Sequence, residues 1–235
     1  MESRQIDQRI EENWICVRNE VAAAAEASGR SADDVLVIGV TKYVDAAWTA
    51  SLVQAGCKEL GENRPQVLWS KAETDDFPEA ARWHMIGHLQ TNKVRRLLRY
   101  EPLIHSVDSE RLLDVIAKES NAKGVSTKIL LEVNISGDEN KTGMQASTLE
   151  SMIQKDLPKG IEVVGLMAMA GLGGDGRTAE KQFHEVRELR DRLSNRSGLE
   201  LRELSMGMSG DYKQAIAAGA TMVRIGSRLF EGLLS

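Results

Sequence analysis

Eight short apolar runs, separated by segments of helical periodicity, constrain this chain more than any other feature. The runs are 35–41, 58–62, 83–87, 103–107, 127–134, 161–169, 201–206 and 221–226. Helical patterns lie between them at 45–55, 64–73, 91–99, 109–122, 145–156, 178–194 and 210–218. Several of these open on residue types that cap helices: Asp45, Asn92, Ser109, Thr178 and Asp211. An amphipathic helix over 4–28 precedes them all. In it Ile6, Ile10, Trp14, Val17 and Val21 recur at three- and four-residue steps, and Gly29 supplies the stop. Strict strand–helix alternation argues for a parallel sheet, and eight strands favour closure over an open sheet. The expected fold is therefore α/β, a (β/α)8 TIM barrel preceded by an N-terminal helix, in a single domain over 1–235. The least regular piece, Gly171–Gly176, reads as a mobile loop after the sixth strand.

Composition removes several function classes. With a formal net charge of -5, the chain offers no basic balance for nucleic acid or an anionic membrane. Aromatic residues make up 4%, too few for a set of base-stacking platforms. No apolar run approaches the roughly 18 residues of a membrane span, and Met1–Asp7 has no signal-peptide core. Two distant cysteines, Cys16 and Cys57, form neither a disulfide framework nor a metal spacing, which suits the cytoplasm.

In a barrel, chemistry sits at the carboxyl ends of the strands. Here those ends carry Lys42, Glu62 with Asn63, His84 with His88, Asp108, Asn134, Met167 with Met169, Ser209, and Arg224 with Gly226 and Ser227. Lys42 shares parity with Val40, Ile38 and Leu36, which directs all four inward. An ammonium in that position is costly unless it is paired, neutralised or used covalently. A solvated lysine at a strand end is the plain alternative. The last two strands run into Ser205-Met206-Gly207-Met208-Ser209-Gly210-Asp211 and Arg224-Ile225-Gly226-Ser227. Such loops, with a helix N-terminus after Ser209, form the phosphate site of many barrels. Taken singly, Ser209 or Asp211 could just cap a helix. An inward Arg224 needs an acceptor, either a carboxylate such as Glu62 or a ligand's phosphate or ring nitrogen. His84 orients a ligand or is a satisfied core histidine. His88, His105 and the Met167/Met169 pair read first as packing, Cys57 as a small core residue, and Lys93, Arg95, Arg96 and Arg99 as a solvated helix face.

Beyond these single residues, the chain resembles the pyridoxal phosphate homeostasis protein family, single-domain relatives of the alanine racemase barrel. The resemblance rests on Val40-Thr41-Lys42-Tyr43, Gly61-Glu62-Asn63-Arg64, and the stretch Trp83 to Lys93. It continues in His105-Ser106-Val107-Asp108, Val133 to Ser136 with Lys141-Thr142-Gly143, Gly165 to Met169, Leu204 to Asp211, and Val223 to Ser227. It implies pyridoxal 5′-phosphate held as a Schiff base on Lys42, with phosphate contacts from Ser209, Gly226 and Ser227. It further implies Arg224 toward the pyridine nitrogen, and Asn63 and His84 lining the ring. Two departures fall at the mouth of the site: His88 where the family carries proline, and a Gly171–Gly176 loop without prolines.

The family implication is a cofactor carrier or regulator without evident turnover, with no catalytic residue and no metal. The expected partners are the cofactor and pyridoxal phosphate-dependent apoenzymes, with the chain a monomer or weak dimer. An arginine facing the pyridine nitrogen weakens the cofactor as an electron sink, and racemisation also needs a second acid/base on the opposite face. The sequence ends just after the eighth strand, so the tyrosine-bearing second domain of the racemases is not expected. Tyr43 has the opposite parity to Lys42 and is expected to point away. The alternatives are a weak pyridoxal phosphate-dependent amino-acid racemase or lyase, and a Schiff-base aldolase on a sugar phosphate that needs no such cofactor.

Overall fold

A computed structural model describes residues 3–136, 142–171 and 176–234. Residues 172–175 of the Gly171–Gly176 loop, and Lys141 of the Lys141-Thr142-Gly143 motif, lie outside the described residues. The chain runs α1 (Ser3–Ala27), β1 (Leu36–Val40), α2 (Ala46–Gln54), β2 (Glu59–Glu62), α3 (Pro65–Ala72), β3 (Arg82–Met85), α4 (Val94–Leu97) and β4 (Leu103–Val107). It continues with α5 (Glu110–Lys123), β5 (Thr127–Val133), α6 (Ala146–Ile153), β6 (Ile161–Ala168), α7 (Gly176–Ser197), β7 (Glu203–Met208), α8 (Tyr212–Ala217) and β8 (Met222–Ile225). The strands close in the order β1 to β8, all parallel, and Ile38 of β1 registers with Arg224 of β8. This is the expected TIM barrel, with α1 laid against the outside.

Two cores result. The larger lies between the strands and the helices, where Ile10, Leu52, Leu68, Leu97, Ile116 and Phe183 are fully buried. A smaller apolar plug fills part of the barrel interior: Ile38, Leu130, Met167 and Met222, with Leu103 and Val164 against it. In β6 a register shift opposite Ile129 and Leu130 resets the alternation, and this turns Met167 inward.

The helices depart from expectation at their ends. Asp45 and Ser109 cap as expected, accepting from the Trp48 and Leu112 backbone N–H groups. The segment 91–99 is not one helix. It is a 3-10 turn (Thr91–Lys93), the single turn α4, and a second 3-10 turn (Leu98–Tyr100) that leaves through Glu101 in the left-handed region. No side chain caps its start, and Asn92 sits inside the first turn. Thr178 likewise falls inside α7. The helix expected over 210–218 begins only at Tyr212, because Asp211 Oδ1 accepts from the Met208 N–H at 2.6 Å and closes a turn first.

Candidate ligand-binding site

The loops after the strands form the face that the site occupies. At the end of β1 the regular alternation stops: Val44 N–H donates to Thr41 O at 3.0 Å, and the chain turns. Lys42 therefore leaves the inward parity and is exposed, its Nζ lying 4.8 Å from the centroid of the Tyr43 ring. This corrects one expectation: Lys42 is not lodged among apolar barrel residues. Tyr43 beside it is 78% exposed.

The buried ammonium of this region is Lys71. From α3 its Nζ donates to Thr41 O at 2.7 Å and to Glu62 Oε1 at 2.5 Å, while Thr41 Oγ1 donates to the same carboxylate oxygen at 2.6 Å. Burial pushes the Lys71 pKa down, and the Glu62 charge opposes that shift. The trio pins the peptide carbonyl immediately before Lys42. Glu62 Oε2 has no partner among the described residues. Sequence reading passed over Lys71, although it lies one helical turn after buried Leu68 and so on the apolar stripe of α3.

The two phosphate-type loops meet. Gly226 N–H donates to Ser209 Oγ at 3.2 Å, joining the loop after β7 to the one after β8. Gly207, at φ +90°, allows the end of β7 to lie against α8; a Cβ there would stand 2.5 Å from the Ala215 Cβ. Gly226 lies against Val40 of β1, with room for a Cβ only at 3.3 Å from Val40 Cβ. Ser227 is exposed at the start of a 3-10 turn, Ser227–Phe230, and Asn63 is half-buried after β2. The expected help from a helix N-terminus after Ser209 is reduced, since α8 starts later and is only 6 residues long.

Around the rim, His88 is not packing: it is exposed, and its Nδ1 lies 2.9 Å from Asp108 Oδ2. Met169 and Met208 are partly exposed, so Met169 is not core either. Asn134 is buried, and its amide oxygen accepts from Ser136 Oγ at 3.0 Å. Glu132, buried on β5, accepts from Thr142 Oγ1 at 2.5 Å. Burial raises its pKa, which the Thr142 hydrogen bond offsets only in part.

Arg224 is buried and does not reach Glu62. Its Nη1 donates to Ser205 O at 2.8 Å and Ser205 Oγ at 2.7 Å, and its Nη2 donates to Ala168 O at 3.0 Å. Among the described residues no protein acceptor meets its Nε–H or its second Nη2–H. Burial pushes its pKa down to about 10, against the charges of Asp211 and Glu132, so it stays a cation at neutral pH. His84 is the satisfied core histidine of the two readings: Nε2 lies 2.8 Å from Glu59 Oε2 and Nδ1 lies 2.8 Å from His105 Nε2. His105 is fully buried, with Nδ1 at 2.8 Å from Ser205 Oγ. Burial holds its pKa well below the ordinary imidazole value. Cys57 is a core residue whose thiol burial pushes up to about 12. Arg96 is exposed, as expected of a solvated face, and there it pairs with Glu73 and lies over the Trp69 ring.

A closed parallel barrel whose last two strand loops converge beside a lysine at the end of the first strand defines a barrel of the alanine racemase type. The family model for the alanine racemase N-terminal domain matches residues 9–233. The chain is 36% identical to the pyridoxal phosphate homeostasis protein of Aquifex aeolicus, over 91% of this chain and 94% of that one. It is 38% identical to the protein of the same name from Synechocystis, over 83% and 90%. It belongs to the pyridoxal phosphate homeostasis protein family. Its fold superposes on PipY of Synechococcus elongatus, solved with PLP bound, at a TM-score of 0.82 and 32% identity, covering 94% of this chain and 99% of that one. Alanine racemase from Corynebacterium glutamicum, 12% identical, shares the fold at a TM-score of 0.72, and the match spans 63% of its length. No helix among the described residues is long and apolar enough to cross a membrane.

Proposed function

We propose that this chain binds pyridoxal 5′-phosphate at the C-terminal mouth of its barrel and serves vitamin B6 homeostasis, holding the cofactor through a Schiff base on Lys42. The observation that carries the reading is the convergence on one face of the exposed Lys42 amine and the joined Ser209–Gly226 loops. The donor set fits the group. Ser209, Ser227 and the backbone around Gly226 suit a phosphate. The two unpartnered N–H groups of Arg224 suit a ring-nitrogen acceptor, and half-buried Asn63 borders the same mouth. His84 has both ring nitrogens engaged, so its influence passes through its hydrogen-bond partners. Bound cofactor supplies an aldehyde that an amine can hold and an electron-accepting ring. The protein's part is to present the amine from a pinned turn and to set donors around a fixed position. Support comes from the relatives' names and from PLP in PipY. The two free cysteines agree with a cytoplasmic setting, and apoenzymes that need the cofactor are the recipients this role implies.

The absorbance spectrum of the purified protein with added cofactor, before and after borohydride, tests the reading. A reducible visible band that Lys42→Ala removes is expected. A protein that stays colourless would overturn it and favour the sugar-phosphate aldolase. Turnover is not part of the proposed role: the Tyr100 and Tyr212 hydroxyls are engaged by Glu73 and Glu20. A second reading, weak racemase or lyase activity, is favoured by the His88–Asp108 pair and by Tyr43 beside Lys42. Racemisation of an amino acid by the loaded protein, lost in Lys42→Ala, would establish it.

A further inference from the structure

The barrel interior holds a continuous line of polar groups that ligand binding at the C-terminal mouth does not by itself require. It starts at Glu59, the first residue of β2, whose carboxylate borders a cavity of about 550 Å³ on the N-terminal face, with Arg82, Tyr100, Glu101 and Lys128 also in its wall. From there it runs through His84, His105 and Ser205 to Arg224. Every link is a hydrogen bond of 2.7 or 2.8 Å.

The two ends dictate the order of protons between them. A guanidinium can only donate, and an ionised carboxylate can only accept. Burial works against the charge of Glu59, but the hydrogen bonds from His84 and Arg82 outweigh it and keep the carboxylate ionised. His84 Nε2 must then donate to Glu59, and with a single proton on the ring its Nδ1 is an acceptor. His105 Nε2 donates to that nitrogen and keeps its own Nδ1 as an acceptor. Ser205 Oγ–H donates to His105, and its lone pair receives the Arg224 Nη1–H. Each proton is used once, and with one proton on each ring both imidazoles carry it on Nε2. The reverse order would aim a ring lone pair at a carboxylate oxygen 2.8 Å away. The other charges facing the line are Arg82 at the Glu59 end, and Glu132 and Asp211 at the Arg224 end.

We infer that Glu59, His84, His105 and Ser205 are positioning residues: from the N-terminal face they fix the acceptor on which Arg224 is hung, and with it the aim of the two N–H groups the arginine leaves for a ligand. The inference rests on the reading of Arg224 as a ligand-facing residue only for its last step. The charge of Glu59 acts at the far mouth of the barrel without touching anything bound there. For groups this deeply buried such a line is stiff, because a break leaves polar atoms unpaired.

The test begins on ligand-free protein labelled with 15N. Imidazole shifts at pH 7 are expected to show His84 and His105 as neutral Nε2–H tautomers; an Nδ1–H form or an imidazolium at either ring would overturn the proton order. Glu59→Gln keeps the shape and removes the charge. It is expected to mix the tautomers and to speed exchange of the Arg224 guanidinium N–H signals about tenfold, the weakening of one charge-assisted hydrogen bond. Glu59→Asp, which keeps the charge, should restore the single tautomer. With pyridoxal phosphate added, Glu59→Gln should move the visible band and weaken binding by the same factor. Unchanged Arg224 signals in Glu59→Gln would overturn the positioning role. A wild-type protein that takes up no cofactor would defeat the ligand reading alone, since the tautomer and guanidinium signals are read without it.

Discussion

Between the strands and the helices, Ile10, Leu52, Leu68, Leu97 and Phe183 are sealed in a shell that is almost wholly apolar. Inside the barrel, the apolar plug of Ile38, Leu130, Met167 and Met222 shares its space with Glu59, His84, His105, Ser205 and Arg224. The two layers are parted only by the thickness of one sheet. The outer one gains from every buried methylene and has little orientation to defend. The inner one gains little on net from each hydrogen bond but loses heavily when one partner goes, so it specifies a geometry. Stability resides mainly outside the wall and arrangement mainly inside it.

That contrast can be broken by mutation. Phe183→Ala, in the outer layer, should cost about 3–5 kcal/mol in a urea titration while the folded fraction keeps its cofactor spectrum. A shifted spectrum would show that the layers are not separable. Lys71 and Glu62 form a buried ion pair outside the wall. Lys71→Met should cost about 3 kcal/mol because it strands the buried carboxylate, and the pair Lys71→Met/Glu62→Leu should regain most of it. Failure to regain stability in the double variant would mean that the pair is needed to hold the Thr41 carbonyl. In the inner layer, His105→Phe should cost about 2 kcal/mol by leaving His84 Nδ1 and Ser205 Oγ without a partner, yet change the bound-cofactor spectrum more than Phe183→Ala does.

The smallest effect lies at the rim, where Glu20 accepts from Arg228 and Tyr212. These hydrogen bonds hold its pKa at about 2, while burial and its coupling to Glu20 push the Tyr212 hydroxyl up to about 12. A depressed carboxylate pKa gives stability that is full above the ordinary value near 4.5 and fades as pH falls toward 2. Because the group is partly solvated, the contribution is under about 1 kcal/mol. Thermal melts of wild type against Glu20→Gln should converge over that window; curves that stay parallel would remove Glu20 from the acid response.

The outer layer was legible from sequence because burial there leaves a period: residues four apart on a helix or two apart on a strand. All eight strands and the long helices follow from it. The inner line was much less so. Glu59 shares parity with Gly61, which was a usable hint, but nothing local couples it to a serine and an arginine on the last strands. Lys42 was misjudged because parity was carried past Val40 into a turn, and Met169 because β6 ends at Ala168, while Met167 packs as read. Of the site, the joined loops at Ser209 and Gly226 were foreseen as neighbours on one face, since strand ends converge in any barrel. The pinning of Thr41 by Lys71 was not, because a lysine on an amphipathic helix looks like a surface residue until the helix is docked.

The seam where Gly226 rests against Val40 has a consequence for how the protein is made. A ribosome delivers Lys42 184 residues before Gly226. Throughout that interval the amine exists without the loops that would seat a ligand beside it. The site therefore comes into being only when the eighth strand docks on the first, and a chain stalled before that point should capture no cofactor at Lys42 with native affinity.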